Sequence, residues 1–254
     1  MTTHALFGLL ILLLAAVALF VQGLRAHRRT TFPQIQQASL FTGLTDAVGR
    51  AAEEGTLIHV TLGSGALWKE HAVTSIAALE SLTGLADLSA AYDTPPIVTT
   101  GDPTLYLLAD DWMRRAYARV GNVARYRPTL VQFLAPSPVV YGAMASIYLY
   151  ERGVGSNLML GLFDVEATFL GDVAARRGTP IQASTTSTLG LAALFPTLDR
   201  EDLMMGEEHF LGGAVATQRP AYWGALQAQD MLRWAVAGGI VIVAVLTALG
   251  MGVS

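Results

Sequence analysis

The sequence predicts an α/β chain: a Rossmann-like, mostly parallel, doubly wound sheet of five or six strands, inserted between an N-terminal and a C-terminal transmembrane helix. Three observations predict it. An apolar, β-branched run, Leu57–Leu62, ends in Gly63-Ser64-Gly65, and a long helical pattern follows. Further short apolar runs alternate with helical patterns, as parallel βαβ units require. Two charge-free segments close the chain, since residues 1–24 and 234–254 contain no Lys, Arg, Asp or Glu.

Charge is therefore local. Only 14% of the 254 residues are charged, against about 25% in ordinary soluble domains. The net charge of −4 falls in the middle of the chain, and that stretch is long enough for one sizeable core. A mildly acidic balance argues against nucleic acid, which needs a basic face. There is no cysteine, so disulfides, thiolate metal sites and a Cys nucleophile are excluded.

Ala5–Leu24 and Trp234–Val253 are each about one bilayer long as helices. Met-Thr-Thr-His lacks the basic start of a signal peptide, and the apolar stretch is too long for one, so an uncleaved anchor is expected. Arg25, Arg28, Arg29 and Arg233 flank the inner ends of both segments. The positive-inside rule then makes this a two-pass protein of the inner (cytoplasmic) membrane, with a cytoplasmic domain and both termini outside. In the second segment Ala235, Gly239, Ala244, Ala248 and Gly252 share a helical face where backbones can approach closely. Helix packing is expected from it, either against the first helix of the same chain or between protomers; self-association is the reading preferred, with the lipid bilayer as the other partner. An anchor merely rich in Ala and Gly would read the same way.

Between the anchors, residues 30–55 hold a linker around Pro33 and a short helix from Thr42 or Thr45 to Glu54, ended by Gly55. The α/β domain is expected over 56–220, with the N-terminal anchor and flank at 1–29 and the C-terminal connector and span at 221–254. Strand one is Leu57–Leu62 and the helix after it Ala72–Tyr92, striped by Ile76, Leu79, Leu82, Leu85 and Leu88. Ile97–Thr100 is strand two. Asp102 is placed to cap the next helix and Pro103 to begin it; that helix runs to about Val120. Leu130–Ala135 is strand three, followed by a helix from Val139 to Arg152. Asn157–Phe163 is strand four, and Asp164 is placed to cap a helix from Val165 to Arg177. Pro180–Ala183 is strand five and Leu189–Phe195 a candidate sixth. Asp199 begins a final helix reaching about Ala216.

The Gly63-Ser64-Gly65 turn, Thr99-Thr100-Gly101-Asp102-Pro103, Phe133-Leu134-Ala135-Pro136, Gly161-Leu162-Phe163 with Glu166, and Gly206-Glu207-Glu208 together resemble a family of bacterial membrane proteins of the Chloroflexota type, described as a domain of unknown function. The resemblance covers roughly residues 25–235. It implies the architecture and carries over no catalytic residue.

The chemistry is less marked. A dinucleotide fingerprint would place a third glycine where Trp68 stands, and an acid about 20 residues on. The acid at the end of strand two, Asp102, lies 39 residues beyond Gly63. No cofactor is expected, and the Walker signature is missing. Ligands of open α/β sheets bind at the carboxyl ends of the strands. There Gly63, Ser64, Gly65, Thr100, Asp102, Ser184, Thr185 and Thr186 form the candidate site, suited to a small anionic or nucleotide-like ligand through backbone N–H groups and hydroxyls. The alternative for these residues is a set of tight turns and polar loops.

Asp164-x-Glu166 is where a metal or a general base could sit, although Asp164 also suits a helix cap. Glu207-Glu208-His209 does not make a chelate, because adjacent helical residues diverge by about 100°. His59 reads as a buried strand histidine. Ser64 lacks the G-x-S-x-G context of a nucleophile elbow. No catalytic constellation and no metal set emerge. The leading expectation is a non-enzymatic scaffold of a membrane complex. The alternatives are a sensor that signals ligand binding to the membrane helices, and an enzyme acting on a membrane-associated substrate.

Overall fold

The computed structural model describes residues 3–27, 39–68, 71–151, 153–206, 209–210 and 220–248. The chain divides into two compact units, one formed by Met1–Gln34 with Gln218–Ser254 and one by Ile35–Thr217.

In the larger unit, α2 (Ser39–Glu54) precedes β1 (Leu57–Gly63), α3 (Ala72–Tyr92), β2 (Ile97–Thr100), α4 (Pro103–Arg119), β3 (Val131–Phe133) and α5 (Pro138–Glu151). Then come β4 (Val154–Leu162), α6 (Ala167–Arg177), β5 (Ile181–Thr185), α7 (Thr188–Leu194) and β6 (Leu203–Met205). The six strands form one sheet in the order β3-β2-β1-β4-β5-β6, and every pairing is parallel. The α/β expectation holds, with six strands. From β1 the chain winds outward one way through β2 and β3. It then returns to the other side of β1 for β4, β5 and β6. The direction of winding reverses between β1 and β4, which is the point where such sheets open a crevice.

Side chains alternate across each strand, so each face builds its own core. Ile58, Val60, Leu62, Val98, Leu158 and Leu160 pack with α2, α3 and α4. Met159, Ile181 and Ala183 pack with α5, α6 and α7. Strands buried on both faces explain the unbroken apolar runs of the sequence.

Several local expectations need correction. Leu189–Phe195 is not a strand, because Ser187 caps a helix there, its side chain accepting from the Gly190 N–H. The sixth strand is Leu203–Met205, too short and too featureless to read from periodicity. Asp199 does not begin a long helix; it precedes a single 3-10 turn, Arg200–Asp202, that leads into β6. Asp164 does not cap α6: its carbonyl accepts from the Ala167 N–H, and its carboxylate accepts from the Ser187 hydroxyl. Asp102 does cap α4, accepting from the Thr104 and Leu105 N–H groups.

In the smaller unit α1 (Thr3–His27) packs against α8 (Pro220–Ala248). A Cβ on Gly224 would lie 2.8 Å from the Gly23 Cα and 2.9 Å from the Gln22 carbonyl oxygen. Two glycines thus let the helix backbones meet directly. Gln22 is buried there and donates to the Met231 sulfur. Ala235, Gly239 and Ala248 are exposed on α8, while the side chain of Ala244 and residue Gly252 lie outside what is described. Among the described residues no helix is long and apolar enough to cross a membrane. The two spans expected from the sequence are not supported.

Candidate functional site

The candidate site lies at the carboxyl ends of β1 and β4. Gly63 ends β1 at φ +74°, and a Cβ there would sit 2.1 Å from the Leu162 carbonyl oxygen. Only glycine fits that conformation and that approach. The Ser64 N–H donates to the same carbonyl at 3.1 Å. The β1 turn is thereby stitched to the end of β4.

This stitch brings Ser64 to Glu166. The Ser64 hydroxyl donates to Glu166 Oε1 at 3.0 Å, across 102 residues of sequence. Glu166 stands at the head of α6 without a side-chain capping bond. It is fully buried, and its Oε2 has no hydrogen-bond partner among the described residues. Gly142 of α5 lets this happen, since a Cβ there would meet the Glu166 Cβ at 2.7 Å. Buried carboxylates are ordinarily paired through both oxygens.

Tyr141, on α5, completes the floor. Its hydroxyl donates to the Thr99 carbonyl at 3.2 Å and accepts from the Gly63 N–H at 3.3 Å. Burial pushes this phenol well above its ordinary range; the two hydrogen bonds act the other way, and nearby Glu166 adds to the rise. The Gly101 N–H donates to the Gly63 carbonyl at 2.9 Å, which draws the β2 loop alongside.

The β5 loop closes the other side. The Ser187 hydroxyl reaches Asp164, and Thr186 shares a 2.9 Å hydrogen bond with Thr74 of α3. Ser184 is not in this loop. It is buried inside β5, where its hydroxyl meets His209 Nδ1 at 2.8 Å. His209 Nε2 meets the Thr74 carbonyl at 3.0 Å. A carbonyl only accepts, so Nε2 carries the proton and Nδ1 accepts from Ser184 in neutral His209. Burial lowers the basicity of this imidazole, and its two hydrogen bonds oppose that.

Of the residues expected from the sequence, Gly63, Ser64 and Gly65 form the turn after β1 where Ser64 meets Glu166, and Thr186 is tied to Thr74. Thr100 is fully buried, with its hydroxyl directed to the Gly63 carbonyl at 3.4 Å. Thr185 is also fully buried and accepts from the Ser187 N–H. Asp102 is committed to its helix cap. Sequence reasoning did not pair Glu166 with Ser64 and missed Tyr141 altogether. The Asp164-x-Glu166 spacing was a usable signal for the first; Tyr141 had none. Glu207 and Glu208 lie outside the described residues. Among the described residues no three His, Asp or Glu side chains come together to hold a metal.

A second buried polar set lies deeper, under α5. His59 is fully buried, with Nε2 2.9 Å from the Thr99 hydroxyl and its ring stacked on Tyr148. Burial lowers its pKa to about 3. Asn157 stands beside it in register on β4. Neither polar atom of the Asn157 side chain has a partner among the described residues, nor does His59 Nδ1.

No curated protein and no solved structure matches the chain. A family described as a domain of unknown function matches residues 1–253, and the chain therefore belongs to that family, DUF6754.

Proposed function

We propose that this protein is a membrane-anchored sensor whose α/β unit binds a small ligand in the crevice between β1 and β4. One observation carries the reading: Glu166 is fully buried at the point where the sheet reverses, held by Ser64 through one oxygen and without a partner at the other among the described residues. A scaffold has no use for an unsatisfied carboxylate, which costs stability. A binding site has, because a ligand can supply the missing partner. The anchoring part rests on the charge-free ends and on the exposed apolar side chains of the smaller unit, among them Ile11, Leu12, Phe20, Trp234 and Ile240. The basic flanks would set the α/β unit on the cytoplasmic side.

Thermal unfolding of the full-length protein in detergent, against nucleotides, phosphorylated metabolites and amines, tests the ligand. At least one compound is expected to raise Tm. A flat response across the whole panel overturns the reading.

A second reading, assembly into a homo-oligomer, is favoured by the exposure of Ala235, Gly239 and Ala248 on α8. A Cβ on Gly239 would meet nothing within 4 Å of its own chain. That leaves the face open to a second copy. Light scattering in mild detergent should show an oligomer that Gly239→Leu with Ala248→Leu dissociates. A monomeric parent protein would end this reading.

A further inference from the structure

We infer that the ligand of the crevice is a protonated amine, with Glu166 as its counter-ion; the inference rests on the ligand-binding reading above. A carboxylate buried without a positive partner is among the costlier arrangements in a protein interior. Among the described residues the hydrogen-bond donors beside Glu166 are already engaged. Tyr141 donates its only hydroxyl proton to the Thr99 carbonyl. Ser64 serves Oε1. The backbone N–H groups of Ala167, Thr168 and Phe169, at the head of α6, donate to the carbonyls of Asp164, Val165 and Glu166.

The other acids of the neighbouring loops are held elsewhere: Asp164 is half-buried and accepts from Ser187, and Asp102 is held in the α4 cap. No Lys or Arg occurs among the described residues of the β1, β2, β4 and β5 loops; Lys69 lies outside them. A phosphate or carboxylate ligand would meet the Glu166 carboxylate and no Lys or Arg among the described residues of these loops. A metal would want more than the site offers. An ammonium group supplies both the charge and the N–H donors that Oε2 lacks.

Isothermal titration of the full-length protein in detergent tests this with four probes. Ethanolamine and putrescine carry the amine, ethylene glycol is the neutral counterpart of ethanolamine, and inorganic phosphate is the anion. An amine is expected to bind saturably, at least about tenfold tighter than ethylene glycol. Glu166→Gln should weaken that binding at least about tenfold with the near-ultraviolet circular dichroism unchanged, and Asp164→Asn should weaken it less. Equal binding of ethanolamine and ethylene glycol overturns the inference without any variant being needed. So does amine binding that Glu166→Gln leaves intact, or that appears only after Lys69→Met, which would make Lys69 the counter-ion. Binding of phosphate or a nucleotide in place of amines overturns the amine while leaving the ligand-binding reading standing. Silence from every probe and every member of the earlier panel removes both.

Discussion

Ser64 and Glu166 meet at 3.0 Å in the crevice between β1 and β4, although 102 residues separate them in sequence. The contact exists because the fourth strand pairs with the first. It leaves the second carboxylate oxygen buried and without a partner among the described residues. If the pair is kept for binding, stability and function should pull against each other there.

Ser64→Ala should therefore cost about 1–3 kcal/mol, since it leaves both carboxylate oxygens unsatisfied. Glu166→Gln should cost less than Ser64→Ala, because it removes the buried charge and keeps an acceptor for the serine. Urea unfolding of the two variants beside the parent protein checks the order. A larger loss for Glu166→Gln would show that Glu166 is structurally compensated after all.

Gly63 and Gly178 both adopt left-handed backbone, at φ +74° and +65°. Their surroundings differ. A Cβ at Gly63 would strike the Leu162 carbonyl, whereas one at Gly178 meets nothing within 4 Å. Gly178→Ala should cost about 1 kcal/mol for conformation alone. Gly63→Ala should cost several-fold more, because β1 and β4 must separate. Equal losses by chemical denaturation would contradict the close approach.

Acid should weaken the fold through its buried histidines. The folded-state pKa of His59 is lowered from 6.5 to about 3 by burial. Below 6.5 the unfolded chain takes up a proton that the folded chain refuses. His59 thus costs no stability above pH 6.5, and it costs stability progressively as pH falls from 6.5 toward 3. Its share is about 1.4 kcal/mol per pH unit. His209, lowered in the same direction, steepens the same window. His59→Leu should flatten the pH dependence of urea unfolding between pH 6.5 and 4.5 by about that amount. An unchanged slope would mean that His59 is hydrated or charged in the fold.

The basic residues Arg25, Arg28, Arg29 and Arg233 predict that the α/β unit faces the cytoplasm. Protease added to intact cells should leave it whole, and protease added to inverted vesicles should cut it. Cleavage in intact cells would reverse the topology.

The fold was legible in the sequence because local signals agreed with it. Asp102 and Pro103 start α4, the stripe through Leu79, Leu82 and Leu85 builds α3, and Gly178 ends α6. What misled was short and contextual. Leu189–Phe195 is apolar enough for a strand, yet the capping hydroxyl of Ser187 turns it into helix. Leu203–Met205 pairs with β5 over three residues and carries no pattern of its own. The site was half legible. Glycines and hydroxyls at strand ends mark the edge of the sheet where Ser64 meets Glu166. The run from Ser184 to Thr188, however, divides between β5, a loop and a helix cap, with Ser184 turned away toward His209. The pairing of Ser64 with Glu166 depends on strand order, which no spacing rule contains.

Hydrogen–deuterium exchange of the full-length protein, with and without the compound that most raises its Tm, tests the central claim most directly. The account predicts slowed exchange confined to four segments: Gly63–Ala66, Gly101–Pro103, Phe163–Ala167 and Thr185–Thr188. Protection elsewhere, with these four segments unchanged, would contradict it.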